Sequence, residues 1–422
     1  AATDPDLGTW TYAYDDAGRL TAQTDARGDL VTLAYDRLGR LLTRTVTPAG
    51  GTAEVTRSVW DEVRAGAANL GRLSREASPT ARICRDHDAA GRVLTERWTL
   101  PADTSTACGT DPAGAESFTL ASTFDAGGRL TTRTWPDGDT TGTAAAPLTY
   151  DLAGRLRTIP GAVSSFAYAA DGKTTTAIYA NGVTSTFSYD SWRAWLTSVA
   201  HARAGTTFET RAYDHDAAGR ITRITASTPG DSWTYTYDRL DRLTKATNLD
   251  DAARTQSFWY DLGSRFTAAT GNGGYTYAAT RPHAPVTVAG TPLTWDASGN
   301  LTTGLGRTFT WDGENRPATI AKGTTTLAFA YAPGGERLVK SVTRPATGCA
   351  GTRTDTVLTL SADSERRTSW SCSAGAWVSK TEWTKYPHAD VKRVGSGATA
   401  DTFFLHRDHL STVARITDIG AA

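Results

Sequence analysis

One short phrase recurs along this 422-residue chain and constrains its fold more than any other feature. It consists of an aromatic residue, Asp, two variable residues, Gly, Arg and an aliphatic residue. The first copies are Tyr14-Asp15-Asp16-Ala17-Gly18-Arg19-Leu20 and Tyr35-Asp36 through Gly39-Arg40-Leu41. Phe124-Asp125 runs to Gly128-Arg129-Leu130, and Tyr150-Asp151 runs to Gly154-Arg155-Leu156. Two further copies, Asp88 to Gly91-Arg92-Val93 and Asp216 to Gly219-Arg220-Ile221, carry His87 and His215 in the aromatic slot. Six strict matches stand against on the order of 0.01–0.1 expected by chance. Such internal repetition marks an architecture built from many copies of one small unit.

Weaker copies fill the gaps. Tyr237-Asp238 leads to Asp241-Arg242-Leu243, Tyr260-Asp261 to Ser264-Arg265-Phe266, Trp295-Asp296 to Gly299-Asn300-Leu301, and Trp311-Asp312 to Asn315-Arg316-Pro317. Tyr189-Asp190 and Tyr331 each open a copy with one extra residue before Leu196 and Leu338. Neighbouring aromatics lie mostly 16 to 27 residues apart, which is room for two short strands and their turns.

The chemistry of one unit follows from its residues. In Trp233-Thr234-Tyr235-Thr236-Tyr237 the rings alternate with Thr, so a strand places all three on one face. Asp238 opens a turn because its carboxylate reaches backbone N–H groups further along. The fourth turn position takes Gly, or Asp241 and Asn315, because that position requires a left-handed backbone. The aliphatic residue after Arg returns to the buried side and begins the second strand. Each unit therefore reads as a β-hairpin. A lone hairpin is marginal in water, so stacking on its neighbours must stabilise it. For the repeated Arg, the choices are a position over an adjacent ring, a pair with the Asp of a neighbouring turn, or a solvated edge charge.

Composition agrees with an all-β protein. The chain has 72 Thr and 40 Gly, residues that suit pleated strands and turns, and 13 Trp, 15 Tyr and 11 Phe, too much apolar surface for a disordered chain. Forty-four basic residues balance 44 acidic ones, so no net field draws nucleic acid to the chain. No apolar run is long enough for a membrane-spanning helix. The absence of Met, the start at AATDPDLG and the end at ARITDIGAA are expected of an internal piece of a larger polypeptide.

The repeated phrase closely resembles the YD repeats of Rhs proteins, of insecticidal toxin-complex shell subunits and of teneurins. The resemblance covers Tyr12 to about Thr417. It implies hairpins joined into a spiralling sheet that forms a hollow shell, or a sector of one, with residues 1–402 as repeat wall. Residues 403–422, including Phe403-Phe404-Leu405-His406-Arg407-Asp408-His409-Leu410, resemble the phrase that ends the array in Rhs proteins ahead of a core absent here. The function so implied is a structural one: a segment of a secreted polymorphic-toxin shell that encloses a C-terminal effector, its partners being that effector or flanking shell segments. The alternative is a cell-surface adhesion or carbohydrate-binding protein similar to teneurins, with a glycan as partner.

No enzyme is read from the residues, and no cofactor or metal. The family's aspartyl autoprotease motif is not found: Asp111-Pro112-Ala113-Gly114 matches four letters, but the wrong sequence follows. No Gly-x-Ser-x-Gly elbow or phosphate loop occurs. His406 and His409, three apart on a strand, would point to opposite faces and ligate poorly together.

The repeat pattern breaks near residues 100–117 and again near 344–376. The second break contains Cys349 and Cys372, and the four cysteines fall as two local pairs, Cys84 with Cys108 and Cys349 with Cys372. Separations of 24 and 23 residues suit a clasp across a hairpin and its loop, which requires an oxidising compartment; four buried thiols are the alternative. Trp192 and Trp195 interrupt the repeat and are the candidates for a surface contact.

Overall fold

The computed structural model describes residues 1–101 and 107–420. Part of the first break (residues 102–106) and the last two residues of the 403–422 segment lie outside the described residues. The described residues form β-strands throughout, with helix confined to two single 3-10 turns, Ala252–Arg254 and Gly397–Thr399. Large sheets of 12, 13 and 12 strands and one two-stranded ribbon follow each other along the chain. Within every sheet the neighbours are consecutive in sequence, so the topology is an antiparallel meander without crossovers.

The register repeats with the phrase. Tyr237 faces Leu243 across the turn, and the ladder shifts between Thr236 and Tyr237. The same bulge follows Tyr14 facing Leu20, Tyr35 facing Leu41 and His215 facing Ile221. A bulge at a fixed place beside each turn adds local twist and sets which side of the strand is buried.

The chain divides into two compact units, each assembled from separated stretches of sequence. One comprises Ala1–Thr123, Arg133–Gly138 and Thr276–Thr384. Its core gathers Ile83, Trp98, Leu120, Trp135, Leu338 and Trp383. Phe118 meets Trp383 edge-on, with ring centroids 5.7 Å apart. Distant repeats meet in this unit: Arg27 donates to the Asp312 carbonyl at 2.6 Å, and Arg44 pairs with Glu314 at 2.8 Å.

The other unit comprises Phe124–Thr132, Asp139–Tyr275 and Lys385–Ala422. Ile159, Phe166, Tyr179, Val183, Val391 and Phe404 form its main core. Its C-terminal strands return to early repeats, with Asn181 Nδ2 donating to Thr417 Oγ1 at 2.8 Å.

Residues 344–376 carry the expected clasp, the Cys349–Cys372 bond, across a hairpin. They lie in long paired strands, Arg337–Ala346, Cys349–Ser361, Ser364–Ser373 and Ala376–His388, because alternating residues such as Thr356-Val357-Leu358-Thr359-Leu360 carry the strand period without the turn phrase.

Candidate functional site

The side chains that repeat most strictly lie at the turns, and they form a joint between successive hairpins. At Asp216, Oδ1 accepts the N–H groups of Ala218 at 2.9 Å and Arg220 at 3.0 Å, while Oδ2 accepts Arg220 Nε at 2.7 Å. The backbone closes the same loop, Asp216 N–H to the Arg220 carbonyl and Gly219 N–H to the Asp216 carbonyl. Asp15, Asp36 and Asp151 hold Arg19, Arg40 and Arg155 in the same way, with Nε to Oδ2 distances of 2.7, 2.6 and 2.7 Å. Asp88 with Arg92 and Asp125 with Arg129 repeat it at 2.5 and 2.7 Å. Asn300 replaces Arg after Asp296 and still reaches Oδ2 through its Nδ2, at 2.9 Å.

The turn Arg thus pairs first with the Asp of its own turn, because the two side chains leave a tight loop side by side. Pairing with the following turn occurs as an addition, between Arg40 and Asp61 at 2.8 Å and between Arg220 and Asp241. In the Asp15, Asp36, Asp88, Asp125 and Asp151 turns the Arg backbone N–H and then its guanidinium hold the carboxyl below the usual range.

Gly18, Gly39, Gly91, Gly128, Gly154 and Gly219 all have φ between +78° and +85°. Asp241, Ser264, Asn315 and Ser411 fill the same slot at φ 62°, 65°, 60° and 61°. The tail phrase closes as one more such turn, with Asp408 N–H donating to the Thr412 carbonyl.

Fixed by their Asp partners, the guanidiniums of Arg19, Arg40, Arg129, Arg155, Arg220, Arg242 and Arg316 lie over an aromatic ring of the following hairpin. Arg19 sits 5.0 Å from the centre of the Tyr35 ring, Arg129 5.0 Å from Tyr150, Arg155 4.7 Å from Tyr168 and Arg220 4.8 Å from Tyr237. The ring then donates back to the carbonyl of the residue that follows that Arg. Tyr35 Oη reaches Leu20 O at 2.8 Å, Trp60 Nε1 reaches Leu41 O at 2.9 Å, and Tyr237 Oη reaches Ile221 O at 2.8 Å. Where both occur, a cation above the ring face and a hydrogen bond at the ring edge lock a hairpin to its predecessor.

This second bond explains why the slot takes Tyr or Trp, the large aromatics with a donor at the far end. The exceptions fall where the preceding unit is irregular. Phe124 follows the first break. His87 follows the divergent turn after Trp60 and takes Asn69 instead, with Nδ1 2.9 Å from Asn69 Oδ1. His215 follows the Trp192 turn and packs on Trp195, ring centroids 5.3 Å apart. Sequence reasoning missed the ring-to-carbonyl bond, although the restriction to Tyr and Trp in regular copies was its signal.

The remaining candidates separate clearly. Trp192 stands 93% exposed on its turn, whereas Trp195 lies under Arg193 and against Gly219, where a Cβ would come within 2.8 Å of its ring. Cys84 is bonded to Cys108 and Cys349 to Cys372. Asp111, from the four-letter protease match, anchors the first break: it pairs with Arg82, which is 0% exposed, at 2.7 Å, and accepts from Thr99 and Ser117 at 3.0 and 2.6 Å. His406 is buried in a strand and His409 lies in the following turn, against Tyr213. Among the described residues no group of three His, Cys, Asp or Glu side chains is placed to hold a metal, and no helix is long and apolar enough to cross a membrane.

Comparison with known proteins matches this geometry. A family model described as the RHS Repeat fits residues 1–29, 14–52 and 215–253. No curated sequence matches the chain. Among solved structures, the crystal structure of TcdB2-TccC3 is similar over 99% of this chain, with a TM-score of 0.79 at 19% identity. The Tc holotoxin pore of Photorhabdus luminescens, which contains a TccC3 variant, is similar over 99% with a TM-score of 0.78 at 19% identity. The chain spans 24% and 23% of the length of those two structures.

Proposed function

We propose that this chain, whose repeats match the RHS Repeat model over residues 1–52 and 215–253 and whose fold is similar to that of TcdB2-TccC3, is an Rhs/YD-repeat protein and a wall segment of a toxin-type shell. Its task is to enclose an effector carried by the same polypeptide and to keep it from solvent and proteases until delivery. The joint array carries this reading. Each repeat is spent on binding the next, through Asp, Arg and a ring, and the acids and bases of the turns are paired with each other rather than aimed at a substrate. Two disulfides fit an oxidising, secreted setting, where a shell must survive outside the producing cell.

Protease protection tests the proposal. In the gene product that carries this chain, a C-terminal passenger should resist proteinase K while the wall is intact and be digested once the wall is unfolded. A passenger cleaved from the start at the rate of the free peptide contradicts enclosure.

One observation favours a second reading, glycan-mediated adhesion: the exposed ring of Trp192, a suitable stacking platform for a sugar. Saturable binding on a glycan array that disappears in Trp192→Ala would support it, and equal binding by both proteins would remove Trp192 from consideration.

A further inference from the structure

The unit that contains the C-terminal strands holds a pair of buried histidines that the repeat joints do not use. His201 lies in the strand Leu196–Arg203 and His406 in Asp401–Arg407; they are 2% and 1% exposed. Their ring centroids are 4.8 Å apart, so two residues separated by 205 positions form one contact. This contact, with Asn181 and Arg415, is where the C-terminal hairpin meets the early strands of its own unit.

The surroundings suit uncharged rings. From Val183–Tyr189, Ser185 Oγ meets His201 Nδ1 at 2.8 Å. From the C-terminal hairpin, Thr417 Oγ1 meets His406 Nε2 at 2.9 Å. His406 Nδ1 has no partner among the described residues. Tyr179, a buried phenol, and Phe208 face the His406 ring edge-on at 5.4 and 6.0 Å.

The charges nearby are already matched. Glu209, paired across the ladder with His201, gives Oε1 to Arg211 at 2.9 Å and Oε2 to Arg415 at 3.1 Å. Arg211 also pairs with Asp231 at 2.8 Å, and Asp390 lies 3.5 Å from the Tyr179 hydroxyl. The nearest carboxylate is therefore occupied by two guanidiniums, and a proton added to either imidazole is an uncompensated buried charge. A proton on both places like charges in contact.

We propose that the His201–His406 contact is an acid-sensitive latch, which holds the C-terminal hairpin on the strands around 183–215 at neutral pH and releases it in an acidified compartment. The direction follows from proton uptake. Burial first, then the Arg211 charge, pushes His201 down to about 4; burial and then His201 push His406 down to about 4. Each ring binds its proton near pH 6.5 once released, so acid favours the released form progressively as pH falls from that range toward 4. Between pH 7.5 and 5 the opening equilibrium should shift roughly 30-fold for each imidazole set free.

Hydrogen exchange on the 422-residue chain, corrected for intrinsic exchange rates, tests the latch. Amides of 401–407 and 413–418 should lose protection on going from pH 7.5 to 5, while the hairpin formed by 325–331 and 337–346 keeps its own. The double variant His201→Phe, His406→Phe should retain protection at pH 5. Equal protection of the wild-type C-terminal hairpin at both pH values would overturn the proposal, as would acid release of equal size in a folded double variant. If the double variant fails to fold, histidine NMR titration of the wild-type chain decides: two rings titrating below pH 5 support the latch, and two titrating near 6.5 refute it.

Discussion

The hairpins between 206 and 266 and those between 344 and 388 are both antiparallel strands, yet they are held by different parts. In the first region three turns carry the Asp and Arg, at Asp216, Asp238 and Asp261, and Arg220 and Arg242 cover the next rings, Arg242 lying 4.6 Å from the Tyr260 ring centre. The second region has no such phrase. There Arg353 lies 5.4 Å from both the Trp370 and the Trp377 rings, Trp377 Nε1 donates to the Ala350 carbonyl at 3.0 Å, and Cys349 is bonded to Cys372. A cation over a ring and an indole bond to a carbonyl reappear without the turn that normally aims them, and a covalent tie does the aiming. What the array needs is the joint; the phrase is its economical form where spacing is regular.

That contrast can be broken at its covalent side first. Removing the Cys349–Cys372 bond by Cys372→Ser should cost about 3 kcal/mol, since the bond closes a loop of 23 residues. The damage should stay local: limited proteolysis should find new cuts within 344–376 and none within 206–226. Cuts spread evenly over the repeats would show that the breaks and the array share one source of stability.

The turn position is next. Gly219→Ala should cost about 2 kcal/mol, combining a left-handed backbone at φ +85° with a clash at 2.8 Å against the Trp195 ring. Gly18→Ala, at φ +78° with open space around it, should cost about 1 kcal/mol. Urea unfolding of both variants checks the order, and equal losses would mean that Trp195 does not pack as described. The smallest effect belongs to the ring edge. Tyr237→Phe keeps the ring and removes the bond to Ile221, which should cost about 1 kcal/mol. Tyr14→Phe should cost almost nothing, because the Tyr14 ring is exposed.

Much of this was legible in the sequence because the requirements are local. A carboxylate at the turn start and a left-handed fourth position are dictated by residues within five positions of each other, so Asp216 and Gly219 announced the turn. The ring face shared by Trp233, Tyr235 and Tyr237 followed from the period of a strand. The partner of Arg220 was legible only as a choice, because its own Asp, the next Asp and the next ring lie within one side-chain length once the hairpins stack. The His201–His406 contact was not legible at all: two residues 205 positions apart, in strands with unremarkable patterns, meet only when the unit closes. Trp192 and Trp195 look alike in sequence, and the backbone of one irregular turn alone sends one outward and the other against Gly219.

The joint itself is tested most directly by a double-mutant cycle on Arg220 and Tyr237, read by denaturant unfolding of the chain. With Arg220→Ala and Tyr237→Leu the account predicts a combined loss smaller than the sum of the single losses, and additivity for Arg220 with Tyr150, a ring covered by Arg129. Additive losses for Arg220 with Tyr237 would contradict it, since the guanidinium and the ring would then act independently.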